Sequence, residues 1–566
     1  MRETLVSLHQ LRSALCLLIA SALAACASLP VETSSTHVQI LAINDFHGNL
    51  ETPSGETRFL ENGTERSVRL GGAAALGATL DNLRSEDTIT VAAGDLIGAS
   101  PLASALFLDE PTVRVLSEIG LDLASVGNHE FDRGIAELRR MQDGGCETHT
   151  RRQPCAVEPF AGAGFTYLAG NVVDEAGTTV FPGTAIRDIG GARIGFIGLT
   201  LQGTPNLVAD SATEGYRFLD EAETANRLAR ELRSAGADTV VLLLHEGADV
   251  DPRYNLTGCP GLSGAVVPIV ERLDASIALV VSGHTHQAYV CRVPTAAGEQ
   301  VLLTSAGRYG SFVTDIEMDV DAATGRVIAL DARNVPVEES AGRNAAADAI
   351  VRRYVAAAAP VADRAVGPID VSAERGEDCI DKPAQDFVAD AYLAAARAAS
   401  EEPVDVAFVN SGGVRTDLSG AEDGLLTYGE IAAMAPFGNA IMVVEMTGTN
   451  LRALLEQQFC DNGPAKICQS VLTPSGNMRY VADLDAPVGQ RAVSIALDGE
   501  AIDPARTYRI ATNSFLTGGG DGFGKFGEAE QLLNAGFDVD ALEAYVAGGK
   551  ASVPVCGRVR RATALD

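Results

Sequence analysis

Asp45-Phe46-His47, Gly94-Asp95, Gly127-Asn128-His129-Glu130, His245-Glu246 and Gly283-His284-Thr285-His286 are the segments of this sequence best equipped for chemistry. Imidazole nitrogens with carboxylate and amide oxygens form a mixed ligand set that suits Mn, Zn, Fe or Co better than Mg or Ca. The chain holds eight His, and five of them fall in these segments. One His after an apolar run is usually structural. Five such placements, together with Asp45 and Asp95, are not explained by packing. Asp132 stands three residues beyond His129, where it can orient and charge an imidazole or cap a following helix.

Elements must bring these segments together, and the flanking sequence supplies them. Val38–Ile43, Thr88–Ala93, Leu123–Val126, Thr239–Leu244 and Ile277–Val281 are short apolar, β-branched runs. Each ends directly in one of the polar segments. Such runs alternate with helical stretches from about Val38 to Val335, the pattern of an α/β fold with a buried sheet. In open α/β sheets ligands bind beyond the carboxyl ends of the strands, so all five segments can converge on one crevice. The Ala-rich stretch Asn344–Ala359 reads as a helix with Ile350, Val351, Tyr354 and Val355 on one face, closed by Pro360. A second α/β unit follows from Gly367. Its helices are expected at Asp386–Ala398 and Asn450–Gln458, and its strands include Val404–Val409 and Ile441–Met446.

That second unit carries polar turns of its own: Asn410-Ser411-Gly412-Gly413-Val414-Arg415, Pro436-Phe437-Gly438-Asn439, and Asn513 to Phe523 with Phe515, a run of glycines and Asp521. Glycine lets a backbone approach a ligand closely. Aromatics are 5% of the chain and Trp is absent, so Phe437 and Phe515 beside such turns are conspicuous.

Taken in order, Asp-x-His, Gly-Asp, Gly-Asn-His-Glu, His and Gly-His-x-His resemble the calcineurin-like metallophosphoesterases over residues 38 to 320. With the C-terminal turns included, nearly the whole chain after residue 37 resembles the 5′-nucleotidase / UDP-sugar hydrolase family. The resemblance implies two domains: an N-terminal four-layer α/β/β/α sandwich and a C-terminal α/β nucleotide-binding domain, joined by a helix. It implies two divalent metal ions. Asp45, His47, Asp95 and His286 would hold one, and Asp95, Asn128, His245 and His284 the other, with Asp95 bridging. Two close cations can activate a water and neutralise the charge of a phosphoryl transition state. His129 would stabilise the transferring phosphate or protonate the leaving oxygen, with Asp132 behind it. Phe437 and Phe515 would sandwich a base, Asp521 would bind ribose hydroxyls, Arg415 would meet phosphate, and Asn410 and Asn439 would line the pocket. The sequence departs from the family in Glu374–Lys382, where family members place phosphate-binding arginines. Here there is one Arg, one Lys and four carboxylates.

The composition is that of a globular protein, and 566 residues exceed one core. The net charge of −32 argues against a nucleic acid polymer as partner. Arg2 and Arg12 precede the apolar run Ala14–Leu23, which ends in Leu23-Ala24-Ala25-Cys26. This reads as a secretory signal with a lipidation site at Cys26, implying a lipid-anchored protein facing the periplasm or cell surface of a bacterium. The expected boundaries are signal 1–26, tether 27–37, metallophosphoesterase domain 38–335, linker helix 336–366 and C-terminal domain 367–566. Cys16 and Cys26 lie in the signal, and the other eight Cys fit disulfides in an oxidising compartment. Cys146–Cys155 and Cys460–Cys468 bracket short polar loops and are expected to pair. Cys259, Cys291, Cys379 and Cys556 remain, with Cys259–Cys291 and Cys379–Cys556 as one arrangement. The expected activity is release of phosphate from nucleotides. Alternatives are a 2′,3′-cyclic-nucleotide phosphodiesterase, an NAD or UDP-sugar pyrophosphatase, or a nucleotide-binding surface lipoprotein without activity. The intact ligand set speaks against the last.

Overall fold

The computed structural model describes residues 35–61, 64–150, 152–208, 210–250, 256–370, 379–418, 423–461, 466–468, 470–549 and 551–562. Cys26, the signal segment, most of the tether and Glu374–Asp378 lie outside the described residues. The first strand already begins at Ser35, within the expected tether.

Two large sheets form the core of the N-terminal half. In the first, strand Ser35–Ile43 runs parallel to Thr88–Ala93, followed outward by Leu123–Ser125 and Thr166–Leu168. On its other side it pairs antiparallel with Phe312–Asp321, and Val327–Pro336 forms the edge. The second sheet has seven strands, with Thr239–His245 and Ile277–Ser282 parallel at its centre. Alternation along each strand decides the layers. Val38, Ile40 and Ala42 meet Val241, Leu243, Leu279 and Val281 between the sheets. Leu41 and Ile43 face the opposite way, toward helices Ala73–Leu83 and Glu110–Glu118. Val240, Leu242 and Leu244 face helices Glu221–Ser234 and Val266–Glu271. The result is the α/β/β/α order expected.

Helix Ala345–Ala362 is capped by the Asn344 side chain and leans on the N-terminal half through Ala347, Val351 and Tyr354. Tyr354 meets Phe107 edge-on, with ring centroids 5.2 Å apart. Pro360 does not close this helix but sits in its last turn, with Asp363 donating to the Ala359 carbonyl at 2.8 Å. A proline there sacrifices one backbone bond but keeps a helical φ, so the chain can continue through the turn.

The C-terminal half is built on a five-stranded mixed sheet in which Val406–Asn410 and Thr507–Asn513 are parallel neighbours. Helices Pro383–Ala399 and Asp538–Ala547 cover one face through Phe387, Tyr392, Leu542 and Val546. Helix Gly448–Glu456 and a small four-stranded sheet cover the other.

Disulfides join Cys146 to Cys155, Cys259 to Cys291 and Cys379 to Cys556. The expected Cys460–Cys468 pair is not formed: both are free thiols. A short loop between two cysteines brings them close, but proximity alone does not make the bond.

Candidate metal centre and interdomain cleft

All five polar segments meet beyond the carboxyl ends of the central strands. Asp45, His47 and His286 form one group whose ligand atoms lie within 4.8 Å of one another; Asp95, His245 and His284 form a second. His47, Asp95 and His129 form a third, so Asp95 touches both sides of the centre. Asn128 joins through its Oδ1, 3.2 Å from His245 Nε2.

The backbone is bent hard to achieve this. Asp45, His47, Asp95, His284 and His286 all have positive φ, between 46° and 70°. Non-glycine residues rarely adopt that region, and such strain persists only where surrounding structure over-determines it. Glycine is needed beside them for another reason. A Cβ on Gly94 would come within 2.6 Å of His245 Nδ1, and one on Gly127 would strike the Asp95 carboxylate.

The donor set fits divalent cations. His47 donates from Nδ1 to the Gly98 carbonyl at 2.9 Å, and His245 from Nδ1 to Ala93 at 2.8 Å. Both therefore aim Nε2 inward, as metal-binding imidazoles do. On His245, against burial, the Asp95 charge raises the pKa to about 10 and holds a proton there that a bound cation would displace. His47 Nε2 lies 3.1 Å from His286 Nε2, and His245 Nε2 lies 3.0 Å from Asp95 Oδ2. Burial holds His47 and His286 well below the ordinary imidazole range and His284 down to about 3, which keeps them neutral and able to coordinate. Burial also pushes Asp45 up to about 7, the mark of a carboxylate that wants a cation. Asp95 stays well below its usual range; burial opposes this, but the His245 and His129 charges outweigh it.

His129 is placed differently. Its Nδ1 bonds Asp132 Oδ2 at 2.8 Å, and its backbone N–H donates to Asp95 Oδ1 at 2.9 Å. Burial works against the imidazolium, but the Asp132 and Asp95 charges prevail and raise its pKa. Asp132 is not the N-cap of the following helix: Arg133 holds that position before Gly134–Asp143.

Sequence reasoning assigned no role to Glu130 or Asn44. Glu130, 2% exposed, accepts backbone N–H bonds from Asp95 at 2.9 Å, Leu96 at 2.8 Å, Ile97 at 3.3 Å and Gly127 at 2.5 Å. It ties the Asp95 turn to the Asn128 turn. Burial, then repulsion from Asp95, pushes its carboxyl up to about 7, and the donated N–H bonds work to keep it ionised. Asn44 bonds Asp45 Oδ2 at 2.6 Å while fastened to Gly307 and Ala306. Adjacency to ligands was the available signal for both.

A cleft runs from this centre to the other half of the chain. Asn128, His129, Asp132 and His284 line it on one side, and Asn410, Arg415, Phe437, Asn439, Phe515 and Asp521 on the other. Phe437 stacks on the His129 ring, centroids 5.8 Å apart and planes 21° from parallel. The Arg415 guanidinium lies 5.8 Å from the Phe437 centroid, and its buried Nη2 has no hydrogen-bond partner. Asp521, at φ 54°, accepts from Asn410 Nδ2 at 2.8 Å, and Asn513 donates to Asn410 Oδ1 at 3.1 Å. Phe515 lies against Gly520, where a Cβ would strike the ring. Leu207 and Val208, from the N-terminal half, also line this cleft; no sequence signal pointed to them.

A cell wall protein of Listeria monocytogenes is 31% identical over 551 residues, spanning 91% of this chain and 67% of that protein. Residues 38–288 match the calcineurin-like phosphoesterase model, and residues 355–528 match the 5′-nucleotidase C-terminal domain model. The chain belongs to the 5′-nucleotidase family. Membership makes it a metal-dependent phosphoester hydrolase. A probable 5′-nucleotidase of Treponema pallidum is 25% identical over 92% of each chain. The fold matches the crystal structure of a 5′-nucleotidase precursor from Thermus thermophilus at a TM-score of 0.72, with 23% identity and coverage of 93% and 99%.

Proposed function

We propose that this protein releases phosphate from nucleotides at a two-metal centre, outside the cytoplasm. The observation that carries the reading is the single cleft in which His129, Asp132 and the metal-ligand cluster face Arg415, Phe437, Phe515 and Asp521. Asp45, His47, Asp95 and His286 would hold one cation, and Asp95, Asn128, His245 and His284 the other. Bound there, the cations would supply Lewis acidity and an activated water. Arg415 offers its unpartnered Nη2 to the phosphate. The raised pKa of His129 favours the imidazolium, which can donate from Nε2 to the leaving oxygen while Asp132 holds Nδ1. Asp521 accepts from ribose hydroxyls, Asn410 and Asn439 line the pocket, and Phe437 and Phe515 give the base apolar faces. Stacking tolerates any base, so breadth across bases is expected.

Three disulfides fit an exported protein, and Cys26 is proposed as the lipid anchor. Cys26→Ser should release the protein from the membrane fraction or leave it as precursor; unchanged fractionation rules the anchor out. The reaction is tested by phosphate release from a panel of nucleotides. Chelation should abolish it and Mn or Co restore it. Activity that survives exhaustive chelation, with metal analysis showing none bound, would sink the two-metal mechanism.

A further inference from the structure

A phosphate site in a chain of net charge −32 needs cations of its own. Before helix Pro383–Ala399 the nearest cations are Arg375, outside the described residues, and Lys382. Lys382 stands at the cap of that helix and is not among the residues lining the cleft. Arg415 supplies one guanidinium from the C-terminal half. The catalytic half holds another in a position the sequence did not reveal.

Arg308 follows strand Gln300–Ala306. Its guanidinium lies 4.9 Å from the Tyr309 ring centroid, and Tyr309 is in turn 5.8 Å from His286 and 5.9 Å from His47, ring to ring. The Tyr309 backbone, at φ 59°, donates its N–H to the Asp45 carbonyl at 2.7 Å, which fixes this turn against a metal-ligand turn. Stacking on an aromatic face preorganises an arginine without consuming its N–H donors. Arg308 and Arg415 line one crevice between the two halves, and Arg308 also lines the adjoining recess that holds His286. The crevice also carries Glu51 and Glu56, both exposed. Arg415 lines this crevice and the aromatic cleft alike, so it stands where the two meet.

We infer that Arg308 is a second phosphate-positioning residue, contributed by the catalytic domain: with Arg415 it brackets a phosphoryl group at the metal centre. This rests on the proposed phosphohydrolase reading. It goes beyond it in naming an arginine of the N-terminal half that would face Arg415 across the crevice. The ligand chemistry is a phosphate dianion, either the substrate's phosphoryl group or the released product.

The test uses full-length, metal-loaded protein and three variants: Arg308→Gln, Arg308→Lys and Lys382→Gln. Inorganic phosphate is titrated by calorimetry, and its competitive inhibition of nucleotide and of aryl phosphate hydrolysis is measured alongside. A charge-assisted contact predicts that Arg308→Gln weakens phosphate binding by about 10- to 100-fold, with Arg308→Lys recovering part of the loss. If the contact is made to substrate as well as product, KM for both substrates rises while kcat holds within a few-fold. If it is made to product alone, only the inhibition constant rises. Lys382→Gln should match wild type. Phosphate affinity within twofold of wild type in Arg308→Gln, or an equal loss in Lys382→Gln, overturns the assignment. Failure of the nucleotide reading would look different, as equal hydrolysis of nucleotide and aryl phosphate with phosphate binding still dependent on Arg308.

Discussion

Glu130 illustrates how one buried side chain can govern chemistry it does not touch. Its four accepted N–H bonds join the turn bearing Asp95 to the turn bearing Asn128 and His129. In Glu130→Gln the volume is kept, but an amide NH2 replaces one acceptor and faces backbone donors. Unmet buried groups cost about 1–3 kcal/mol each. Bound metal per chain, measured after dialysis, should fall, and kcat should drop by about 10- to 100-fold, the scale seen when a group that orients metal ligands is lost. Glu137, a buried carboxylate paired with Arg140 at 2.7 Å, is the control: Glu137→Gln should lower Tm without lowering metal content. Two metals retained in Glu130→Gln would leave it a structural residue only. His129→Ala, which removes the group proposed to act in the transition state, should reduce kcat by about 10²–10⁴-fold for every substrate.

Helix Pro383–Ala399 is fastened to the last strand, Val559–Arg561, by a cluster of charges at its first turns. Asp381 accepts the backbone N–H groups of Gly557 and Arg558, and Arg558 forks onto Asp390 at 2.7 and 2.8 Å. Asp386, fully buried, lies 3.5 Å from Arg558 Nε. Burial, and after it the Asp381 charge, pushes the Asp386 carboxyl up to about 9 despite Arg558. The folded state therefore holds a proton that the unfolded state releases near pH 4, and between these values folding binds it. This group's contribution to stability is full below about pH 4 and declines as pH rises toward 9. Denaturant midpoints followed over that range should fall in wild type relative to Asp386→Asn, which cannot ionise. Parallel pH profiles for the two proteins would show that Asp386 is ionised when folded.

At the scale of the whole molecule, the proposed reading draws chemistry and recognition from different halves that share one cleft. Damage to each should leave a distinct kinetic mark. Phe437→Ala or Phe515→Ala should lower kcat/KM for nucleotides by roughly 1–3 kcal/mol while sparing an aryl phosphate. Equal losses on both substrates would make these rings packing residues. Phe437 carries a further expectation, because it stacks on His129 here: a base can occupy that face only if the two rings separate. Such a movement is expected to turn about the chain past Ala362, since the linker helix packs on the N-terminal half through Val351 and Tyr354. The chain then enters strand Ala365–Pro368, paired with Leu425–Thr427 of the other half.

Much of this was legible in the sequence because it is local. Apolar runs ending in Asp, Asn and His specify strands with ligands at their carboxyl ends, and five such runs imply a shared crevice. Asn344 and the Ala-rich stretch after it specify a helix. What depends on distant partners was not legible. Whether Cys460 and Cys468 bond, whether a helix stops at Pro360, and whether Asp132 serves a helix or His129 are settled by neighbours brought in from elsewhere in the chain. Glu130 reads as one more carboxylate until the Asp95 turn, 35 residues earlier, folds over it. Arg308 reads as a loop arginine until tertiary packing sets Tyr309 against His47 and His286. Strand-end chemistry is written in short-range pattern, whereas the field and the clamps around it arise from contacts between segments far apart in sequence, which only the folded chain brings together.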